Sequence, residues 1–241
     1  MKEQTDWKEK AGFQWFRRHK LELMVLLASV VYLLWFHWLE QQVTVASGYH
    51  VIHVGLDDYI PFVPYFIVPY LLWFPYVLFA WLYLYRKDRE TCRQMSVFLF
   101  LGMFTALFIC TIYPNGTRLR PDVDAEKNVF YALVAWLYQT DTPTNVLPSI
   151  HVFNSIGVEI ALMRTKALRA HRGIRLASLC LCVLICLSTM FLKQHSGLDV
   201  FTACMMAYVI YGAVYEPVTA EELEGVSLEQ REERGPRHLL D

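Results

Sequence analysis

At 241 residues the chain has room for one or two ordinary domains, yet 55% of it is hydrophobic and the apolar residues lie in long blocks. That pattern excludes a water-soluble globule and points to a helical bundle embedded in a membrane. The formal net charge of −1 conceals clustering, because Lys and Arg fall in short patches between the apolar blocks. No nucleic-acid partner is expected.

Residues 1–20 form a charged arm, and the apolar block after them lacks a small-residue cleavage site, so it reads as a retained first span. A spanning helix needs about 20 predominantly apolar residues. Segments near that length lie at 21–39, 61–85, 95–113, 146–163, 174–192 and 196–215. The expected fold is therefore all-α, a polytopic six-transmembrane-helix bundle. The second segment, "PFVPYFIVPYLLWFPYVLF", is expected to be kinked by its prolines and bordered by interfacial aromatics. Residues 129–139 are apolar but too short to cross and suit an interfacial helix. Residues 216–241 read as a solvated, Glu-rich tail.

Six spans put both termini on one side. With that arrangement, 18 of the 22 Lys and Arg fall beside the termini and only Arg118, Arg120, Lys127 and Lys193 fall opposite. The positive-inside rule then makes both termini cytoplasmic. Of the six cysteines, Cys110, Cys180, Cys182, Cys186 and Cys204 lie in apolar blocks and Cys92 in the basic loop "RKDRETCR", so neither disulfides nor a zinc framework are expected.

Polar residues converge on the outer ends of these spans. Arg118 and Arg120 follow the third, His151 opens the fourth, and His195 and Asp199 open the sixth with Lys193 just before them. Ionisable groups at membrane depth are costly unless paired or lining a wet cavity. The i, i+4 spacing of His195 and Asp199 would put both on one helix face, so that the carboxylate orients the imidazole as a base or nucleophile. A histidine attacking phosphorus forms a phosphoenzyme, His151 could protonate the leaving oxygen, and Arg118 and Arg120 could grip the phosphoryl oxygens. A second polar group, His50, His53, Asp57 and Asp58 in the first outer loop, is read as a wet edge in preference to a metal or headgroup site. "NGT" at Asn115–Thr117 is read as a turn in preference to a glycosylation acceptor.

At these residues the chain resembles the type 2 phosphatidic acid phosphatase superfamily, whose motifs run K-x6-R-P, P-S-G-H and S-R-x5-H-x3-D. Here they read "YPNGTRLRP", "PSIH" and "STMFLKQHSGLD". The resemblance covers roughly residues 55–215 and is nearest to the branch of inositol phosphorylceramide synthases and sphingomyelin synthase-like proteins. It implies His195 as nucleophile, Asp199 as its orienting partner, His151 as leaving-group acid, and Arg120 and Ser149 at phosphate-binding positions, with Pro121 and Pro148 also matching. It departs at Tyr113, Ile150 and Thr189, where the family has Lys, Gly and Arg. Lys193 and Arg118 are the replacement cations. The implied activity is that of a lipid phosphatase or phosphotransferase without metal or cofactor, acting on a phospholipid or polyprenyl phosphate. The competing expectation is a non-catalytic scaffold of the same fold.

Overall fold

The computed structural model describes residues 19–44 and 46–215, so the charged arm, apart from its last two residues, and the Glu-rich tail lie outside the described residues. The chain forms a helical membrane protein. Five helices among the described residues are long and apolar enough to cross a membrane.

The first, α1 (Lys20–Gln42), is a continuous apolar helix with Leu26, Leu27, Leu33 and Leu34 exposed on its surface. A two-residue strand, β1 (His50–Val51), and a 3-10 turn (Gly55–Asp58) lead to the second segment. That segment is kinked, as its prolines dictate. A 3-10 turn (Pro64–Phe66) and a short α2 (Ile67–Leu71) bend at Leu72 into α3 (Trp73–Lys87). Pro75 has no N–H to offer the carbonyl of Leu71, so the helix cannot run straight through.

Helix α4 (Arg89–Ile112) starts six residues earlier than the sequence expectation of 95. Asp88 explains this. Its carboxylate accepts the Thr91 N–H at 3.1 Å, capping a helix that turns the presumed basic loop into a first helical turn and buries Cys92. Strand β2 (Asn115–Gly116) pairs in parallel with β1. Helix α5 (Val129–Thr140), capped by Asn128, is the expected short apolar helix, and it packs Val134 and Leu137 against Ile67, Tyr70 and Leu192.

The remaining helices are α6 (Ile150–Arg164), α7 (Arg172–Phe191) and α8 (Gly197–Val214). The expected segment 146–163 is thus a helix of 15 residues, shorter than the five long apolar helices, because residues 146–149 enter it as a bent, non-helical stretch. It is the centre of the molecule. Helix α6 packs against α3, α4, α7 and α8, while α1 lies outside on α4.

Glycines permit the closest of these approaches. A Cβ on Gly102 of α4 would stand 2.0 Å from the Phe153 ring, and one on Gly157 of α6 would stand 2.6 Å from Phe98. The Phe98 and Phe153 rings stack across the seam with centroids 4.7 Å apart. In lipid, where apolar burial does not drive helix association, close packing of this kind is what holds helices together. The buried carboxylate of Glu159 is partnered by hydroxyls: Tyr76 donates to it at 3.1 Å, and Ser178 donates as well.

Candidate functional site

The ends of α1, α4 and α7 and the starts of α6 and α8 meet at one end of the bundle, stitched by hydrogen bonds between segments far apart in sequence. Asn115 is the main stitch. Its side-chain oxygen accepts the Val146 and Leu147 N–H groups, each at 2.9 Å, and its amide donates to Tyr113 O at 2.8 Å. Fully buried, Asn115 organises a turn and is not presented to solvent for glycosylation. Glu40 at the end of α1 holds the same loop by accepting from Thr142 Oγ1 at 2.5 Å and Asn145 Nδ2 at 2.6 Å.

Between α7 and α8 the chain makes a tight turn in which Thr189 O accepts the N–H groups of Gln194 (3.0 Å) and His195 (3.1 Å). Lys193 takes a left-handed φ of 54° there. Ser196 then caps α8, and Asp199 accepts the Ser196 N–H at 2.9 Å to complete a capping box.

His195 therefore stands just before the helix and not on its face, which corrects the sequence expectation. The pairing with Asp199 survives for a different reason. The capping box turns the carboxylate back toward the chain entering the helix, and His195 Nδ1 lies 3.3 Å from Asp199 Oδ2. A carboxylate only accepts, so Nδ1 carries the proton and Nε2 is left with a lone pair.

His151 sits one residue into α6, behind the cap formed by Ser149, whose hydroxyl faces the Val152 N–H at 3.5 Å. The Ser149 N–H donates to Asp199 O at 3.3 Å, tying the start of α6 to the first turn of α8. The His151 and His195 ring centroids are 5.8 Å apart at 58°. Tyr70 and Trp73 pack on the His151 ring at 4.7 and 4.4 Å. Both imidazoles line a cavity of about 50 Å³, together with Phe36, Ile150, Gln194 and loop residues between Asp141 and Val146 other than Pro143. That is room for a few waters or one small oxyanion.

The cations are distributed unequally. Arg120 reaches the cluster: Nη1 donates to Tyr138 O (3.2 Å) and Asp141 O (2.7 Å), and Nη2 donates to Thr142 O (3.0 Å) and to Gln194 Oε1. Its guanidinium lies over the Tyr138 ring at 4.7 Å, and burial holds its pKa below the ordinary arginine range. Lys193 points elsewhere, donating to Asp57 O at 2.7 Å. Arg118 is exposed, with no hydrogen bond or ion pair to any described residue. Of the departures from the motifs, Tyr113 stacks on His50 at 4.2 Å, Thr189 spends its hydroxyl on Cys186 O at 2.7 Å, and Ile150 lines the cavity.

Several buried atoms here have no hydrogen-bond partner: the nitrogens His151 Nδ1, Gln194 Nε2 and Arg120 Nε, and the oxygens Asp199 Oδ1 and Asn145 Oδ1. Gln194 and Asp57 are the residues that spacing alone missed as parts of the site. Gln194 carried no signal beyond adjacency to His195. Asp57 was visible in "GLDDYIPF" but belonged with His50, His53 and Asp58 in sequence. The structure separates them, pairing His53 with Asp58 at 2.8 Å and turning Asp57 inward to 2% exposure. Comparisons with protein-family models, with curated proteins and with solved structures return no match.

Proposed function

We propose that this protein is a lipid phosphatase or phosphotransferase that works through a phosphohistidine on His195. One observation carries the reading: an Asp-braced imidazole faces a second buried imidazole 5.8 Å away across a small cavity with unpartnered nitrogens buried around it. Buried unpartnered donors are costly, and a phosphoryl group, which only accepts when ionised, would satisfy them.

His195 Nε2 attacks phosphorus while the bond from phosphorus to the lipid oxygen breaks, and His151 gives its proton to that oxygen. In the second half, water or an alcohol attacks the phosphohistidine, the phosphorus–nitrogen bond breaks, and His151 recovers a proton from the entering oxygen. Water gives hydrolysis; an alcohol gives headgroup transfer. Arg120 offers its Nε–H, and further donors once Gln194 yields to a phosphoryl oxygen, so the guanidinium can offset charge as it develops. Ser149 serves as the cap that sets His151, and Lys193 as a strut.

The finer topology belongs to the same proposal. Helix α6 is a short crossing, the fourth of six in chain order, both termini are cytoplasmic, and the cluster lies at the outer face, a reading supported by the 18 cations beside the termini. A non-catalytic scaffold draws support from the four carbonyl and amide contacts that already occupy Arg120. The unpartnered nitrogens favour catalysis. Purified protein incubated with a panel of phosphorylated lipids should release or transfer phosphate in a vanadate-sensitive manner. No product across the panel would favour the scaffold.

A further inference from the structure

We propose that Asp57 is a positioning residue that fixes the His195 imidazole and its Asp199 brace, an inference whose catalytic consequence rests on the phosphohistidine reading. Asp57 and His195 are far apart in sequence, yet Asp57 holds the chain on both sides of His195. Before it, the Asp57 carbonyl accepts Lys193 Nζ–H at 2.7 Å. After it, Asp57 Oδ2 accepts the Ser196 hydroxyl at 2.6 Å and Asp57 Oδ1 accepts the Gly197 N–H at 2.8 Å. Only Gln194 and His195 lie between these anchors.

The carboxylate also acts one step further on. By accepting the Ser196 O–H, it leaves the lone pairs of that oxygen to accept the Leu198 N–H at 3.2 Å, which fixes the cap of α8. The same capping box sets Asp199 Oδ2 between the Ser196 N–H at 2.9 Å and His195 Nδ1 at 3.3 Å. Asp57 is itself rigid, since Oδ2 also accepts the Val54 N–H of its own turn at 2.9 Å. Its negative charge lies against the N-terminus of α8, where the helix dipole favours it. Asp58, the next residue, is exposed and paired with His53, so it provides a control of the same type in the same turn.

The test compares full-length wild type, Asp57→Asn, Asp57→Ala, Ser196→Ala, the double variant of Asp57→Ala with Ser196→Ala, and Asp58→Asn, in detergent and in liposomes. Turnover of a phosphorylated lipid is read as kcat and KM, thermal unfolding reports folding, and diethyl pyrocarbonate with mass spectrometry reports the carbethoxylation rate of His195. In folded Asp57→Asn, kcat should fall about 10- to 100-fold, as expected for a misplaced reacting group, with KM within about twofold. The carbethoxylation rate of His195 should change by about fivefold or more as its brace loosens. Asp57→Ala should be at least as impaired, Asp58→Asn should match wild type, and Asp57→Ala combined with Ser196→Ala should be little worse than either alone.

Unchanged kcat and unchanged His195 modification in folded Asp57→Asn would overturn the inference. Should the Asp57 variants fail to fold, Ser196→Ala removes the other half of the same hydrogen bond and decides the question on the same two readouts. If wild type forms no phosphohistidine, the proposed chemistry falls, and the carbethoxylation rates still decide whether Asp57 holds His195.

Discussion

His195 Nδ1 and Asp199 Oδ2 lie 3.3 Å apart across the N-terminal cap of α8, with the Ser196 N–H sharing the same carboxylate oxygen. The brace is therefore built into the way the helix begins. Asp199→Asn keeps an acceptor for the cap but can offer His195 an N–H in place of an oxygen, which favours the wrong tautomer. It should leave the fold intact and lower kcat by about 10²- to 10⁴-fold, the range for losing an oriented catalytic base. Steady-state kinetics with thermal unfolding checks both halves.

His151 should separate the two chemical steps. With His151→Gln, a lipid whose leaving oxygen needs a proton should react about 10²- to 10⁴-fold more slowly, while an aryl phosphate with a good leaving group should lose much less in phosphoenzyme formation. Rapid-quench measurement of the two donors gives the comparison, and equal losses would contradict a leaving-group acid.

Arg120 is tied to the loop that roofs the cavity as well as to Gln194, so its removal should act twice. Arg120→Ala is expected to raise KM for the phosphorylated lipid and to cost about 2–4 kcal/mol of stability, since hydrogen bonds to a charged group contribute about 1.5–3 kcal/mol each. Arg120→Lys should recover little, because one ammonium cannot reproduce a fork that serves Tyr138, Asp141, Thr142 and Gln194 together. Arg118→Ala, at an exposed position, should change neither quantity by much.

Gly102→Ala places a methyl 2.0 Å from the Phe153 ring at the seam between α4 and α6. Overpacking of this kind typically costs about 1–3 kcal/mol, so the midpoint of thermal unfolding in detergent should fall clearly. Gly173→Ala, where a Cβ meets nothing within 4 Å, should leave it unchanged.

Asp88 gives the opposite end of the bundle a pH response. Burial would raise its carboxyl pKa, but hydrogen bonds from the Thr91 N–H and the Thr165 and Thr91 hydroxyls outweigh that and hold it below the ordinary value of 3.8. A lowered folded-state pKa contributes stability above the unfolded value that is lost as pH falls through the folded one. Asp88→Ala should cost about 1 kcal/mol at pH 7, the usual loss for an N-cap, and the difference from wild type should shrink below pH 4.

The five long apolar helices and the pairing of His195 with Asp199 were legible because their signals are local. An apolar block declares itself within about 20 residues. The spacing of His195 to Asp199 is fixed within one turn. What stayed hidden depends on partners remote in sequence. Nothing near Asp57 announces that its carboxylate will hold the start of α8, and only the motif match at Arg120–Pro121 sets Arg120 apart from Arg118; its carbonyl partners appear only when the loop after α5 folds over it. The early start of α4 was masked by charge: "RKDRETCR" reads as a loop by composition, whereas Asp88 capping Thr91 makes it helix. The i, i+4 rule led to the right pair by the wrong geometry, since a capping box can bring together what a helical face would.

The most direct measurement is isolation of the protein during turnover of a phosphorylated lipid, followed by mass spectrometry under conditions that preserve acid-labile phosphate. The account expects phosphate on His195, formed and discharged as fast as the lipid is consumed, and neither phosphorylation nor turnover in His195→Ala. Turnover at the wild-type rate in His195→Ala, or lipid consumption with no phosphate ever on residue 195, would contradict it.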